Sequence, residues 1–342
     1  MTTVGPVIVE TCRPVHCFIA RQSHSFLLVE VPAALMVKLN EGDMRKLFRS
    51  AVFVVLALGF IVICFLVIPK RPARPVLPFP NGYDDFLKAA QNAVSQRWPY
   101  GEGSDGELRE LVDENRSALE LARAGCERNC RVAIDYSVSA PTYATQHIPI
   151  LAQFKKLAWA FRFEGELAER EGRTNDAARV YLDGIRFGQE FCRGGLVIDR
   201  LVDIACEAIN FAPLSNLVQN VDARTCRDVA QGLETMEAKR EPWESTLGVE
   251  RLYFRNVANM RENLLGTVQR MIRWCQSWWR PVQDPRQKLE RVQGWERRLT
   301  LQLAVRAYEL EHEKAPERTA DLAPAYLKAV PKDPMTGREM AL

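Results

Sequence analysis

An all-α architecture built around one membrane-spanning helix is what this sequence predicts, and three observations predict it. A single apolar run, AVFVVLALGFIVICFLVI at 51–68, contains no charge. Beyond it, apolar residues recur at steps of three and four, the spacing that gathers them on one face of a helix. Alternation at period two, the mark of a half-buried strand, is almost absent. The 342 residues are 47% hydrophobic and 26% charged, the balance of a folded chain rather than a disordered one.

The apolar run justifies the first element. At ~1.5 Å per residue its length reaches about 27 Å, enough to cross the hydrocarbon core of a bilayer. A cleaved signal peptide would have a shorter apolar core and small residues at a cleavage site. Here the run passes directly into Pro69-Lys70-Arg71-Pro72. The preceding MRKLFRS supplies a compact positive flank, so 44–68 reads as a retained signal anchor. Residues 1–43 hold three prolines, two cysteines and two histidines with neither period, and read as a doubtful or disordered leader, with translation expected to begin at Met44 or Met36. The alternative is a short cytoplasmic tail. Lys38, Arg45, Lys46 and Arg49 before the run outnumber Lys70, Arg71 and Arg74 after it, which favours an N-terminus inside and a soluble domain outside the cytoplasm.

A proline-rich stretch, 69–80, follows. Pro69, Pro72, Pro75 and Pro78 recur every three residues, one turn of polyproline II, and fit a stiff stalk of roughly 35–40 Å. An irregular linker fits the same composition. Residues 81–313 then read as a helical domain. A helix over 83–97 is closed by Trp98-Pro99. Ser104 and Glu107 form a capping-box signature that opens a second helix, stopped at Gly125. Residues 126–148, with Cys126, Cys130, a strand-like RVAIDYSV and Pro141, read as an irregular crossing. The apolar stripe Leu151, Phe154, Ala158, Phe161, Gly165, Ala168 marks the next helix. Further helices are expected at 174–192, 196–219, 223–240, 242–279 (broken) and 286–313, separated by Gly172, Gly194-Gly195, Asp222, Pro242, Pro281 and Pro285.

Residues 161–189 carry Phe161, Gly165, Gly172, Ala177, Tyr181 and Gly184 at the intervals of one tetratricopeptide-type hairpin, which this stretch resembles. Small residues at 165 and 177 would let two helices approach, with Tyr181 filling the wedge. Ala168 and Gln189 depart from that family's aromatic and proline, and no second copy follows at a ~34-residue period, whereas a solenoid needs about three. The tetratricopeptide likeness makes Phe161, Gly165 and Tyr181 candidate partner-binding residues. The tail at 311–342, with Pro316, Leu322, Pro324, Tyr326, Leu327, Pro331, Asp333, Pro334 and Gly337, resembles the close of uncharacterised bacterial membrane-anchored helical proteins. Ala315 and Thr319 depart from that pattern. A related tail closes the pseudopilins, whose processing signature the apolar run lacks. Asp333-Pro334-x-x-Gly337 is expected to form a turn. This family has no activity to carry over.

Chemistry is thin. With four histidines, two of them before residue 44, a histidine-based triad or zinc site has little material. Cys126, Cys130 and His147 lack an evident fourth ligand. No phosphate-binding, nucleophile-elbow or dinucleotide glycine pattern is present. Six of the nine cysteines follow the stalk and read as structural thiols, with a disulfide as the alternative. The net charge of +3 gives no field pointing to nucleic acid. RMIRWCQSWWR at 270–280 reads as an aromatic helix face, with a membrane interface or a partner as the alternative. The sequence thus supports no catalytic, cofactor or metal residue. It points to a membrane-anchored scaffold or interaction module that contacts the bilayer and another protein, with no nucleic acid and an open oligomeric state. The alternative is a cell-envelope enzyme whose site is scattered along the chain.

Overall fold

A computed structural model describes residues 75–94, 103–258 and 285–342. The chain divides into two compact units, Met1–Arg71 and Pro72–Leu342, and every described residue belongs to the second. The expected anchor at 44–68, the start of the stalk and the RMIRWCQSWWR stretch lie outside the described residues. Among the described residues the fold is all-α, with no strand. Helices α1 (Gly82–Asn92), α2 (Asp105–Cys126), α3 (Ala140–Arg170), α4 (Thr174–Phe191), α5 (Val197–Leu217), α6 (Ala223–Lys239), α7 (Trp243–Ala258) and α8 (Pro285–His312) follow in order.

Each start has a local cause. Asn81 accepts the Tyr83 amide at 3.2 Å and so caps α1. Its side chain also bonds both backbone groups of Arg131, tying α1 to the loop after α2. Ser104 and Glu107 form the expected box: the Glu107 carboxylate accepts the Ser104 amide at 2.8 Å, and the Ser104 hydroxyl accepts the Glu107 amide at 3.3 Å. Asp222 accepts the Thr225 amide at 2.7 Å and opens α6.

The segment expected to be an irregular crossing is a correction. Helix α3 begins at Ala140, and Pro141 stands in its first turn, where its missing N–H would have no partner in any case. Ser139 supplies the cap, accepting from the Thr142 amide. The strand-like residues before it pair with no strand; Val132 instead donates its amide to the Arg193 carbonyl at 2.8 Å.

Helices α3 and α4 form a hairpin around Gly172, whose φ of +75° closes the helix in the left-handed region. The next amide, Arg173, reaches back to the Ala168 carbonyl at 2.8 Å. One apolar core gathers Phe86, Phe154, Phe161, Phe187 and Phe191 between α1, α3 and α4. A second holds Tyr181, Leu214, Val229, Leu233, Leu299 and Leu303 between α4, α5, α6 and α8. The tail belongs to this second core through Leu322, Tyr326 and Leu327. Beyond it the expected turn forms: the Gly337 amide donates to the Asp333 carbonyl at 2.7 Å, and the Asp333 side chain accepts from Met335 and Thr336.

Helix α5 and the turn after it, Val197–Asn220, are long and apolar enough to cross a membrane, with a mean hydropathy of 1.3. The same stretch is the central helix of the domain, packed against α3, α4 and α8. It carries Asp199, Arg200, Asp203 and Glu207, all buried.

Candidate functional site

Helices α2, α3 and α4 leave a half-open groove of about 470 Å³ between them. Its floor is apolar, made by Leu119 of α2, Leu167 and Ala168 of α3, and Val180 of α4. The rim alternates in sign. Arg109 donates to Glu171 at 2.6 Å, across from one wall to the other. Arg123 bridges Glu164 at 2.5 Å and Asp183 at 2.8 Å, so one guanidinium ties α2 to both α3 and α4. Arg116 pairs with Asp113 on its own helix, and Arg173 with Glu171. Four arginines and four carboxylates line the groove, so its charge cancels while its polarity stays high.

The three residues expected at a partner surface lie beneath this groove. Phe161 and Tyr181 are 0% exposed, and Gly165 is buried between them. The Arg123 guanidinium covers the Phe161 ring at 5.3 Å, and Arg162 covers the Tyr181 ring at 5.8 Å. The Tyr181 hydroxyl donates to Glu169. Burial and then that carboxylate push its pKa upward. The structure brings these three together as packing under the rim, with charged residues between them and solvent.

A buried concentration of polar groups joins four of the described helices. Arg200, Asp203 and Glu207 of α5, Arg240 at the end of α6, and Glu296 of α8 are all buried in one cluster. Arg240 reaches Glu207 at 2.9 and 3.2 Å, and both oxygens of Glu296 at 2.7 Å. Gln189 of α4 adds a bond to Glu296 at 3.0 Å. Arg200 donates to Asp203 at 3.1 Å, to the Cys192 sulfur at 3.0 Å and to the Glu241 carbonyl at 2.8 Å. The sequence signal that could have found it is the spacing of Asp203 and Glu207, one turn apart on a helix that also carries Asp199 and Arg200.

A separate buried pair joins α3 to α5. The His147 imidazole meets Asp199 at 2.5 Å, and the Tyr143 ring stacks on it at 4.7 Å between centroids. Asp199 also accepts the Leu196 amide at 2.7 Å, closing the first turn of α5.

No protein-family model, curated protein or solved structure matches the chain. What the sites do chemically therefore rests on their geometry. Among the described residues no three His, Cys, Asp or Glu side chains are arranged to hold a metal ion. The five described cysteines are free thiols. Burial raises the pKa of Cys192 and Cys206 well above the usual thiol range and that of Cys226 to about 11, which leaves them poor nucleophiles. The acid pair Asp203 and Glu207 is enclosed by protein and does not line the groove.

Proposed function

We propose that the chain is a membrane-anchored helical interaction module. Its anchor is the apolar run at 51–68, its soluble domain lies outside the cytoplasm, and its working surface is the groove between α2, α3 and α4. The groove is the single observation that carries this reading. It joins an apolar floor, which favours burial of a partner side chain, to a rim of both signs, which can re-pair with a partner's own charges. The occupant with that chemistry is a protein segment carrying acidic and basic residues around an apolar anchor. The α3–α4 hairpin that walls it packs a small residue against an aromatic one, in the manner of a tetratricopeptide unit.

The test is a charge exchange at the rim. Arg116→Glu combined with Glu120→Lys alters two exposed residues and no core contact. The variant should melt as the wild type does and lose the adduct that chemical cross-linking in intact cells gives with the wild type. An unchanged adduct would place the working surface elsewhere.

A further inference from the structure

We infer that the buried cluster of α4, α5, α6 and α8 holds one proton among its three carboxyl groups, carried by Asp203 and donated to Glu207, so that the joint closes as a neutral unit and loosens as pH rises.

Charge balance is the first support. Arg200 and Arg240 bring two positive charges, whereas Asp203, Glu207 and Glu296 bring three carboxyl groups. A net charge left in a buried, low-dielectric setting is costly, and one retained proton removes it.

Hydrogen-bond supply says where that proton sits. Glu207 and Glu296 are both held by Arg240, and Glu296 also by Gln189. The second oxygen of Asp203, Oδ1, is buried and receives no donor. As an ionised acceptor it would be left unsatisfied. As a protonated donor it has Glu207 beside it, one helical turn along the same face of α5. Gly188 of α4 admits the pair: a Cβ there would stand 3.1 Å from Glu207 Cγ and 3.4 Å from Asp203 Oδ1. The backbone of α4 thus seals the two carboxyl groups together.

The titratable and charged groups around Asp203 are Cys192 just past α4, Arg200, Cys206 and Glu207 from α5, and Arg240 from the end of α6, with Glu296 of α8 joined through Arg240. Burial, then Glu207, raise the Asp203 carboxyl well above the usual carboxylate range against the pull of Arg200 and Arg240. Glu296 is pushed up to about 8 by burial, opposed by Arg240. Its two bonds to Arg240 and one to Gln189 satisfy it as an anion, which leaves Asp203 the better home for the proton.

The sign follows from linkage. The folded state binds the proton more tightly than the unfolded chain, whose carboxyl groups titrate near about pH 4. Stability from this source is complete below that value and falls as pH rises toward the folded pKa. Over that interval the unfolding constant should grow about tenfold per pH unit for the one proton released.

The experiment is urea unfolding of the full chain in detergent between about pH 5.5 and about pH 7.5, for wild type and Asp203→Asn. The Asn amide reproduces the donor to Glu207 without a titrating group. Asp203→Asn should therefore lower the pH slope by about one proton and gain on the wild type as pH rises. An unchanged slope in Asp203→Asn would overturn the assignment. Infrared spectra of the wild type at neutral pH give a second reading that needs no variant. A buried protonated-carboxyl carbonyl band is expected, and its absence would overturn the proposal.

Discussion

A side chain on Gly165 would stand inside the ring of Tyr181: a Cβ there would come within 2.2 Å of the ring carbon Cε1. The two helices of the α3–α4 hairpin are in contact because one residue has no side chain and the other fills the space. Gly165→Ala should therefore destabilise by about 1–3 kcal/mol through overpacking, despite alanine's better helix propensity. Tyr181→Ala leaves a cavity at a position with no exposure and should cost about 3–5 kcal/mol. Ala177→Leu, in the same core, should cost about 1–3 kcal/mol. Glu166→Ala, with its single pair to Arg170, should stay within about 1 kcal/mol of wild type. Thermal melts of the purified chain check the ranking, and equal shifts at all four positions would show that the hairpin is packed otherwise.

The buried cation Arg240 serves two carboxylates at once. Arg240→Met would keep much of the volume and strand Glu207 and Glu296 without their partner. Removing one side of a buried ion pair costs about 3–5 kcal/mol, so this should rank with the worst core truncations. Denaturant unfolding measures it. A near-neutral result would mean that the cluster is solvated and its charges carried by water.

Much of the fold was legible because its punctuation is local. Gly172 ends α3 with a positive φ, Ser104 and Glu107 cap α2, and Asp222 caps α6, each within four residues of the element it bounds. The start of α3 was misread because Pro141 looks like a stop until Ser139 is seen to cap the turn that contains it. The tail's turn was legible for the same local reason, Asp333 and Gly337 being four residues apart. The ionic cluster was not, because Glu207 and Glu296 become partners of Arg240 only when α6 and α8 fold back on α5. Phe161, Gly165 and Tyr181 were singled out together by the tetratricopeptide resemblance. That resemblance could not say that Arg123 and Arg162 would cover the two rings.

The proposed anchor makes a prediction that stands apart from the helical domain. Replacing Leu58 and Ile61 by Arg puts two charges at mid-span, each costing roughly 2.5–3.5 kcal/mol on insertion scales. The variant should leave the membrane fraction, while the wild type should stay there after high-salt washing. In intact spheroplasts, Glu114→Cys on the exposed face of α2 should react with a membrane-impermeant thiol reagent without lysis. Reaction only after lysis would put the domain in the cytoplasm.

A photo-cross-linking amino acid at Glu120 probes whether the groove between α2, α3 and α4 receives a protein partner. Glu120 lies on the rim, exposed and close to the Leu119 floor. Lys314, exposed beyond the end of α8, serves as the control position. Irradiation of intact cells should give one discrete protein adduct from position 120 and none from position 314. Adducts of equal yield at both positions, adducts with lipid alone, or no adduct at position 120 would contradict the claim that this groove receives a protein partner.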